Sequence, residues 1–261
     1  MNELSALLFA ADGYILGGAA VMMRLLGVLS GTPLGTNSAV PPRVRALLAL
    51  HLTLVMCWAL GFPHLPPEAG IAAWLAVLAP EFILGLAMGL MVRVIMAFAT
   101  GMGQMASYSM GLGFASFVDP STGASTTVIS RILKVIGLLV FFAVDAHLHI
   151  ISAVFDTFRM LPPGSVAMTT VSRLDMAHLG SQFFSVSLRL AAPVMAAGLM
   201  VYVVLAVMAK VAPQMNLFAF GFALTIPAGM IMLYFTMPSF AALMSDQLLD
   251  VANQMRMLVA N

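Results

Sequence analysis

Long apolar runs alternate with short polar or proline-rich connections over most of this chain. A hydrocarbon core about 30 Å thick takes about 20 residues of helix, so the pattern predicts an all-α protein with six membrane crossings. The third run would be about 46 Å long as one helix, and Pro80 within it predicts a kink. The six runs are residues 14–33, 46–62, 70–100, 132–155, 181–210 and 217–245.

Residues 101–131 interrupt this pattern with glycine and polar residues. An apolar group at residues 114–118 is followed by Asp119 and Pro120, a pair that disfavours helix. Irregular backbone exposed to lipid leaves polar groups unpaired, so we expect this glycine-rich stretch to be covered by protein or to line a wet cavity. The glycines, which permit backbone conformations that other residues resist, are Gly101, Gly103, Gly111, Gly113 and Gly123.

Methionine is unusually frequent, with 23 residues in the chain. Methionine fills irregular gaps in cores and also suits surfaces that adapt to different partners, so either use fits a group beside the glycine-rich stretch. That group is Met88, Met91, Met96, Met102, Met105 and Met110.

Composition fixes the class of protein. Hydrophobic residues make up 62% of the chain and charged residues 8%, against roughly 25% charged in soluble domains. The chain is therefore predicted to be a polytopic membrane protein. Its net charge of +1 gives no indication of nucleic-acid binding, and its single cysteine, Cys57, allows no internal disulfide. Because the N-terminus lacks a basic region, we expect no cleaved signal peptide.

Charged side chains inside the apolar runs are costly and require partners or water. Arg24 is expected near a helix end or facing other helices. Glu81 has no adjacent partner in Arg93, which lies about 18 Å further along a helix. Gly85 and Gly89 have the spacing that lets helices approach closely. The candidates for helix packing or buried polar contacts are Arg24, Glu81, Gly85, Gly89, Arg131 and Asp145.

The distribution of charge in the connections predicts sidedness. Basic loops favour the cytoplasm, which places Arg43, Arg45 and Lys210 inside and both termini outside, with the glycine-rich stretch near the inner side. The last two apolar runs are predicted to form a helical hairpin with a polar cytoplasmic corner. The corner residues are Lys210, Pro213, Gln214 and Asn216.

Enzymatic chemistry is not indicated. His147 and His149 are two residues apart and would point to different faces of a helix, which argues against a metal site. Asp119 and Asp145 could in principle form a paired-carboxylate protease site, but a turn before Pro120 accounts for Asp119. No phosphate-binding or dinucleotide motif is present in the sequence. We predict neither catalytic activity nor a cofactor nor a bound metal.

Several motifs resemble the FliR family, the flagellar type III export-gate proteins whose injectisome counterparts are called SctT. The resemblance extends nearly from end to end, with the stretch 110–120 and the corner 212–216 its most specific parts. Ala223 is a departure, because the family often has proline after the Gly221-Phe222 pair. The other matching features are Leu25-Leu26 after Arg24, the loop 40–45, Glu81 with Gly85 and Gly89, Arg131, His147-Leu148, and the segment 155–158 with Leu161-Pro162.

The resemblance implies a subunit of the flagellar protein export gate in the bacterial inner membrane and flagellar basal body. Its partners would be FliP-, FliQ- and FlhB-like membrane subunits, the lipid membrane and unfolded exported chains. Residues 1–180 would form a FliP-like helical part that includes a plug loop at 101–130, and residues 181–261 a FliQ-like hairpin. In this family the gate lies largely outside the bilayer plane, so several helices would not contact lipid.

The resemblance also implies that the central loop plugs the export channel. Phe114 and Phe117 would be the occluding side chains, because aromatic side chains can close a pore by packing and dewetting. The plug residues carried over from the family are Met110, Gly111, Gly113, Phe114, Phe117, Asp119 and Pro120.

Two other functions are compatible with the residues. A secondary transporter could use Arg24, Glu81 and Asp145 as a buried relay, although such proteins commonly carry inverted repeats and none is evident. A membrane scaffold would differ from an export gate only in whether the central loop faces a lumen.

Overall fold

All regular secondary structure in the part of the chain that the structure describes is helical. The computed structural model describes residues 3–36, 40–66, 70–113, 126–166, 176–212, 214 and 216–260. The helices are α1 (Glu3–Gly31), α2 (Pro33–Thr36), α3 (Pro42–Ala59), α4 (Ile71–Ser109), α5 (Val128–Ala143), α6 (Ala146–Met160), α7 (Met176–Val211) and α8 (Leu217–Ala260).

Among the described residues, five helices are long and apolar enough to cross a membrane, namely α1, α3, α4, α7 and α8. Helices α5 and α6 qualify together as a sixth, bent by 62° at the break between them. The break occurs at Asp145, whose φ of 51° places it in the left-handed region that helices do not use. The prediction of an all-α polytopic membrane protein is confirmed. The sidedness inferred from Arg43, Arg45 and Lys210 stays a prediction.

Both predicted boundaries of the loop at 101–130 are wrong. Helix α4 continues to Ser109 and α5 begins at Val128, so residues 101–109 and 128–130 are helical. Two of the glycines serve packing instead of a turn. A Cβ on Gly101 would lie 2.5 Å from Ser187 Oγ, and one on Gly103 would lie 2.5 Å from the Cα of Ser130. Residues 114–125, which we call the central segment, lie outside the described residues.

The chain divides into two compact units, and each unit is discontinuous in sequence. Unit 1 comprises Met1–Arg93, Asp145–Met176 and Leu248–Asn261, and unit 2 comprises Val94–Val144 and Ala177–Gln247. Helices α4 and α8 each contribute residues to both units. The division predicted at residue 180 separates a FliP-like part from a FliQ-like part. The two compact units reflect contacts within the chain and not likeness to those proteins, so this division stays a prediction.

Unit 2 has an apolar core to which α4, α5, α7 and α8 contribute. Methionines fill part of it, since Met102 and Met110 are essentially fully buried. These two therefore act as core residues and not as an adaptable surface. The other core members are Ala99, Ala106, Ile129, Leu133, Leu190, Ala191, Val194, Leu233 and Phe240.

Unit 1 is organised around a close contact between α1 and α4. A Cβ on Gly27 would lie 2.5 Å from both the backbone nitrogen of Leu86 and the carbonyl oxygen of Phe82. On the facing helix, a Cβ on Gly89 would lie 2.6 Å from the carbonyl oxygen of Val28. Gly31 and Gly85 face the opposite backbone in the same way. The predicted packing role of Gly85 and Gly89 therefore has a matching glycine pair on α1.

We predict that Gly27→Leu destabilises unit 1, whereas Gly18→Leu on the same helix does not. A side chain at Gly27 meets backbone that cannot rotate away, while nothing lies within 4 Å of a Cβ at Gly18. Overpacking of this kind costs about 1–3 kcal/mol. The measurement is the apparent Tm of each purified variant in detergent. It is monitored as the loss of the monodisperse chromatographic peak on heating. Equal Tm values for the two variants would contradict the packing role.

Candidate functional site

A fully buried ion pair joins α1 to α4 in unit 1. Arg24 Nε lies 2.7 Å from Glu81 Oε2, and both side chains have 0% exposure. Glu81 directly follows Pro80, and α4 continues through both residues. The partner that this intramembrane carboxylate requires is thus 57 residues away in sequence.

Further hydrogen bonds satisfy the remaining polar atoms of the pair. Arg24 Nη2 donates to the carbonyl oxygen of Leu161 at 3.1 Å, and Nη1 donates to Thr157 Oγ1 at 3.5 Å. The second oxygen of Glu81 accepts from the backbone N–H of Gly164 at 2.7 Å. The Arg24 guanidinium carbon also lies 4.2 Å from the centre of the Phe158 ring. The pair therefore ties α1, α4, α6 and the turn after α6 together.

This arrangement does not resemble a proton or solute relay. Among the described residues, the groups hydrogen-bonded to the pair are Thr157, the Leu161 carbonyl and the Gly164 N–H, and none of them titrates in the physiological range. Since neither charge has solvent access, the arrangement favours a structural role over the transporter alternative.

Two residues predicted as buried polar contacts occupy other environments. Asp145 is exposed, and its carbonyl accepts from Leu148 and His149 at the start of α6. Arg131 is exposed and its Nε donates to Thr126 Oγ1 at 3.2 Å. Both lie at helix ends, where a charged side chain reaches the surface without being buried.

The end of α4, which precedes the central segment, is closed by a Schellman motif. The N–H of Leu112 donates to the carbonyl of Ser107 at 2.9 Å, and the N–H of Gly111 donates to the carbonyl of Tyr108 at 3.1 Å. Gly111 has φ +81°, the left-handed conformation that this motif requires at that position. The sequence therefore stops α4 at a defined residue.

Side chains from α7 and α8 satisfy the next two carbonyls of this helix end. Tyr202 Oη donates to the carbonyl of Ser109 at 3.0 Å, and Thr225 Oγ1 donates to that of Met110 at 3.0 Å. Met110 is 1% exposed. Of the predicted plug residues, Met110 thus belongs to the core of unit 2.

The start of α5 is capped and is joined directly to α4. Thr127 is the N-cap, and its hydroxyl accepts from the N–H of Ser130 at 3.4 Å. The same hydroxyl lies 2.7 Å from Ser107 Oγ and donates to Gln104 Oε1 at 3.5 Å. The two helix ends that flank the central segment therefore meet through side chains.

The structure describes some of the remaining predicted plug and corner residues but not all of them. Gly111 and Gly113 lie in the turn that ends α4. Phe114, Phe117, Asp119 and Pro120 lie outside the described residues, so their predicted role is untested. At the corner between α7 and α8, Lys210, Gln214 and Asn216 are exposed, and Pro213 lies outside the described residues.

Reasoning from sequence missed Thr157, Gly164, Ser107, Gln104 and Thr127. Thr127 carried a usable signal, because a threonine directly before an apolar run is a common N-cap. Thr157 appeared only within the family-like segment 155–158, with no role assigned to it. Gly164 carried no signal, because its partner is distant in sequence. Among the described residues, no group of three or more metal-ligating side chains is suited to hold an ion.

Known protein sequences match this chain over most of its length. The model of the family described as "Bacterial export proteins, family 1" matches residues 15–251. The flagellar biosynthetic protein FliR of Escherichia coli is 32% identical over 220 residues, which cover 84% of each chain. The FliR proteins of Pectobacterium carotovorum and Caulobacter vibrioides are 29% and 24% identical, and the match covers 83% and 93% of this chain and 82% and 98% of theirs, respectively.

We predict that Arg24→Met and Glu81→Met each lower stability sharply and that the double variant Arg24→Met with Glu81→Met recovers most of the loss. Removing one partner leaves an uncompensated buried charge, which costs about 3–5 kcal/mol, whereas apolar residues of similar size can replace a whole pair at little cost. The Tm values in detergent of the unmodified protein, Arg24→Met, Glu81→Met and the double variant form a complete cycle. Additive losses would show that the two side chains act independently.

Proposed function

Because the chain belongs to the FliR family of bacterial export proteins, we propose that it forms part of a flagellar protein export channel and closes that channel with its central segment. The family match and the FliR relatives make it a membrane-embedded subunit of the flagellar export apparatus. The relatives are named for a role in flagellar biosynthesis and not for a catalysed reaction. The plug and the identity of the partner subunits are our proposals beyond the family assignment.

The observation that best supports a plug is the geometry of the two helix ends around the central segment. Ser107 Oγ and Thr127 Oγ1 are 2.7 Å apart, so the end of α4 and the start of α5 meet at one place. Both helix ends are capped and held by side chains of the same unit. These helix ends would give a plug formed by residues 114–125 a fixed point of attachment.

The composition of the central segment suits a reversible seal. Phe114 and Phe117 supply bulky apolar side chains that exclude water and ions by packing and dewetting. Apolar packing is not sequence-specific, so an unfolded chain passing through the channel can replace these contacts. Phe114 and Phe117 are thus the side chains on which we base the seal.

Partner subunits are supported by the lengths and exposure of individual helices. Helices α7 and α8 have apolar spans of 35 and 40 residues, whereas a hydrocarbon core takes about 20. In α3, α7 and α8, less than a third of the most apolar stretch is buried. A span longer than the hydrocarbon core leaves apolar surface that lipid does not cover, so we propose FliP-, FliQ- and FlhB-like membrane subunits as the cover for α7 and α8. The site of assembly would be the flagellar basal body in the bacterial inner membrane.

We predict that replacing Phe114 and Phe117 with alanine makes the resting cell membrane leak ions, because the seal loses its apolar bulk. Deleting residues 114–118 should have a larger effect. The matched control replaces both residues with leucine, which keeps the apolar character and should keep the seal. The measurement is ion conductance through the assembled complex, normalised to the amount of complex in the membrane.

A conductance unchanged by the deletion, with the complex still assembled, would remove the plug role. A leak of equal size from the leucine control would instead indicate that the seal depends on aromatic rings and not on apolar bulk.

A further inference from the structure

Two exposed cations on α7 are spaced by the thickness of a bilayer. Arg189 and Lys210 are both exposed, and the helix between them is about 31 Å long. A hydrocarbon core is about 30 Å thick. Residues 190–209, which separate the two cations, include no charged side chain. This stretch of α7 therefore has the length and the composition of one complete crossing.

The character of the exposed surface of α7 changes at Arg189. On the N-terminal side, His178, Ser181 and Ser185 are exposed. On the other side, the exposed side chains are mostly aliphatic, with Met200 72% exposed. A helix that passes from water or headgroups into hydrocarbon changes in this way, and a long basic side chain at the boundary can reach the headgroups.

Helix α8 shows a matching pattern. Its sequence has no charged residue before Asp246. Tyr234 and Phe235 are 74% and 67% exposed, and Ser239 is exposed just beyond them. Tyrosine is enriched where a membrane meets water, because its ring is apolar and its hydroxyl is polar. The apolar part of α8 thus ends in the kind of residue that marks a membrane boundary.

A groove of about 600 Å³ lies between the two helices within this stretch. The α7 and α8 residues that line it are at similar distances from the corner that joins the helices, so the helices run antiparallel here. Tyr234 therefore lies on the Arg189 side of the groove, and Lys210 lies on the opposite side. The lining includes Leu199, Met200, Val203, Val204, Leu224 and Ala228.

The chemistry of the groove favours an acyl chain over a partner helix. Transmembrane helices associate through small residues that let backbones approach and through polar side chains that bond across the interface. Leu199, Met200, Val203 and Val204 are bulky and apolar, so this part of the lining provides neither feature. An acyl chain needs only an apolar surface of suitable shape.

Lys210 supplies a group for the other end of such a lipid. It is six residues beyond Val204, about 9 Å along the helix. It forms no ion pair with any carboxylate that the structure describes. A phosphate is the anion that a phospholipid presents at this depth, and a lysine near the membrane surface attracts anionic headgroups.

We propose that phospholipid covers the face of α7 and α8 between the levels of Arg189 and Lys210. One acyl chain lies in the groove, and Lys210 holds the phosphate of that lipid. The parts of α7 and α8 beyond these levels lie outside the hydrocarbon, where partner subunits can cover them. The proposal does not depend on the plug, because none of these residues belongs to the central segment.

Photo-cross-linking in cells tests what covers this face. A photo-cross-linking amino acid replaces Met200 in one variant and Phe184 in the other. Both side chains are exposed on α7, but Phe184 lies beyond Arg189. Adducts of the assembled complex are identified by mass spectrometry. We expect about tenfold more phospholipid adduct from residue 200 than from residue 184, because only residue 200 lies within the hydrocarbon.

Adducts from residue 200 that are mainly with another protein chain would overturn the proposal, because a partner helix would then cover the groove. Equal phospholipid adducts from the two positions, or none from residue 200, would overturn the placement of the bilayer between Arg189 and Lys210.

Lipid retention tests the headgroup contact. The purified complex is incubated with phosphatidylglycerol or phosphatidylcholine, and the bound lipid is counted by native mass spectrometry. We expect Lys210→Gln to lower the preference for phosphatidylglycerol about fivefold, since one basic residue near the surface is lost. Lys210→Arg keeps the charge and should keep the preference. An unchanged preference in Lys210→Gln would show that this lysine does not hold the phosphate.

A matched pair of substitutions on α8 tests the acyl chain. Ala228→Leu fills the groove and should release one lipid of either headgroup, whereas Ala223→Leu adds the same bulk at an exposed position of α8 and should release none. Equal retention by the two variants would overturn the groove as the acyl-chain site.

The results are independent of the proposed function. A leak from the Phe114 and Phe117 variants together with protein adducts at residue 200 would leave the plug in place and remove the lipid site. Phospholipid adducts at residue 200 without a leak from those variants would do the reverse.

Discussion

Hydrocarbon supplies no hydrogen bonds, so each polar group in the membrane-embedded part of this chain requires a partner within the protein. Arg24 and Glu81 meet this requirement through each other and through groups on α6 and the turn after it. The last carbonyls of α4 meet it through the Schellman turn, Tyr202 and Thr225. In both units, the hydrogen bonds that satisfy these polar groups also join neighbouring helices. The same contacts therefore fix the positions of the helices relative to one another within each unit.

Much of the fold could be predicted from the sequence because long apolar runs admit few interpretations. The helical class, the membrane spans and the close packing at Gly85 and Gly89 followed from run length and glycine spacing. Gly101 and Gly103 show where that reasoning ended. A glycine beside polar residues is equally compatible with a loop and with a helix contact, and only the position of Ser130 and Ser187 on neighbouring helices decides between them.

The site was harder to predict because its contacts join distant residues. The sequence identified Arg24 and Glu81 as expensive charges, but nothing local indicated that they pair. Asp145 carried the same signal and is exposed at a helix break instead. The link between Ser107 and Thr127 was equally invisible, since small hydroxyl residues are common in membrane helices. What the sequence did supply was the resemblance through the stretch 110–120, and this led to a functional hypothesis that pattern alone could not provide.

The central claim is that a segment held at a fixed base closes the channel and is displaced by the exported chain. The most direct measurement places a photo-cross-linking amino acid at Phe117 and stalls an export substrate in the assembled complex. The account predicts cross-links from residue 117 to the stalled substrate, and no substrate cross-links from the same amino acid at Phe235 on the exposed face of α8. Cross-links from residue 117 only to its own chain, with substrate present in the channel, would contradict it.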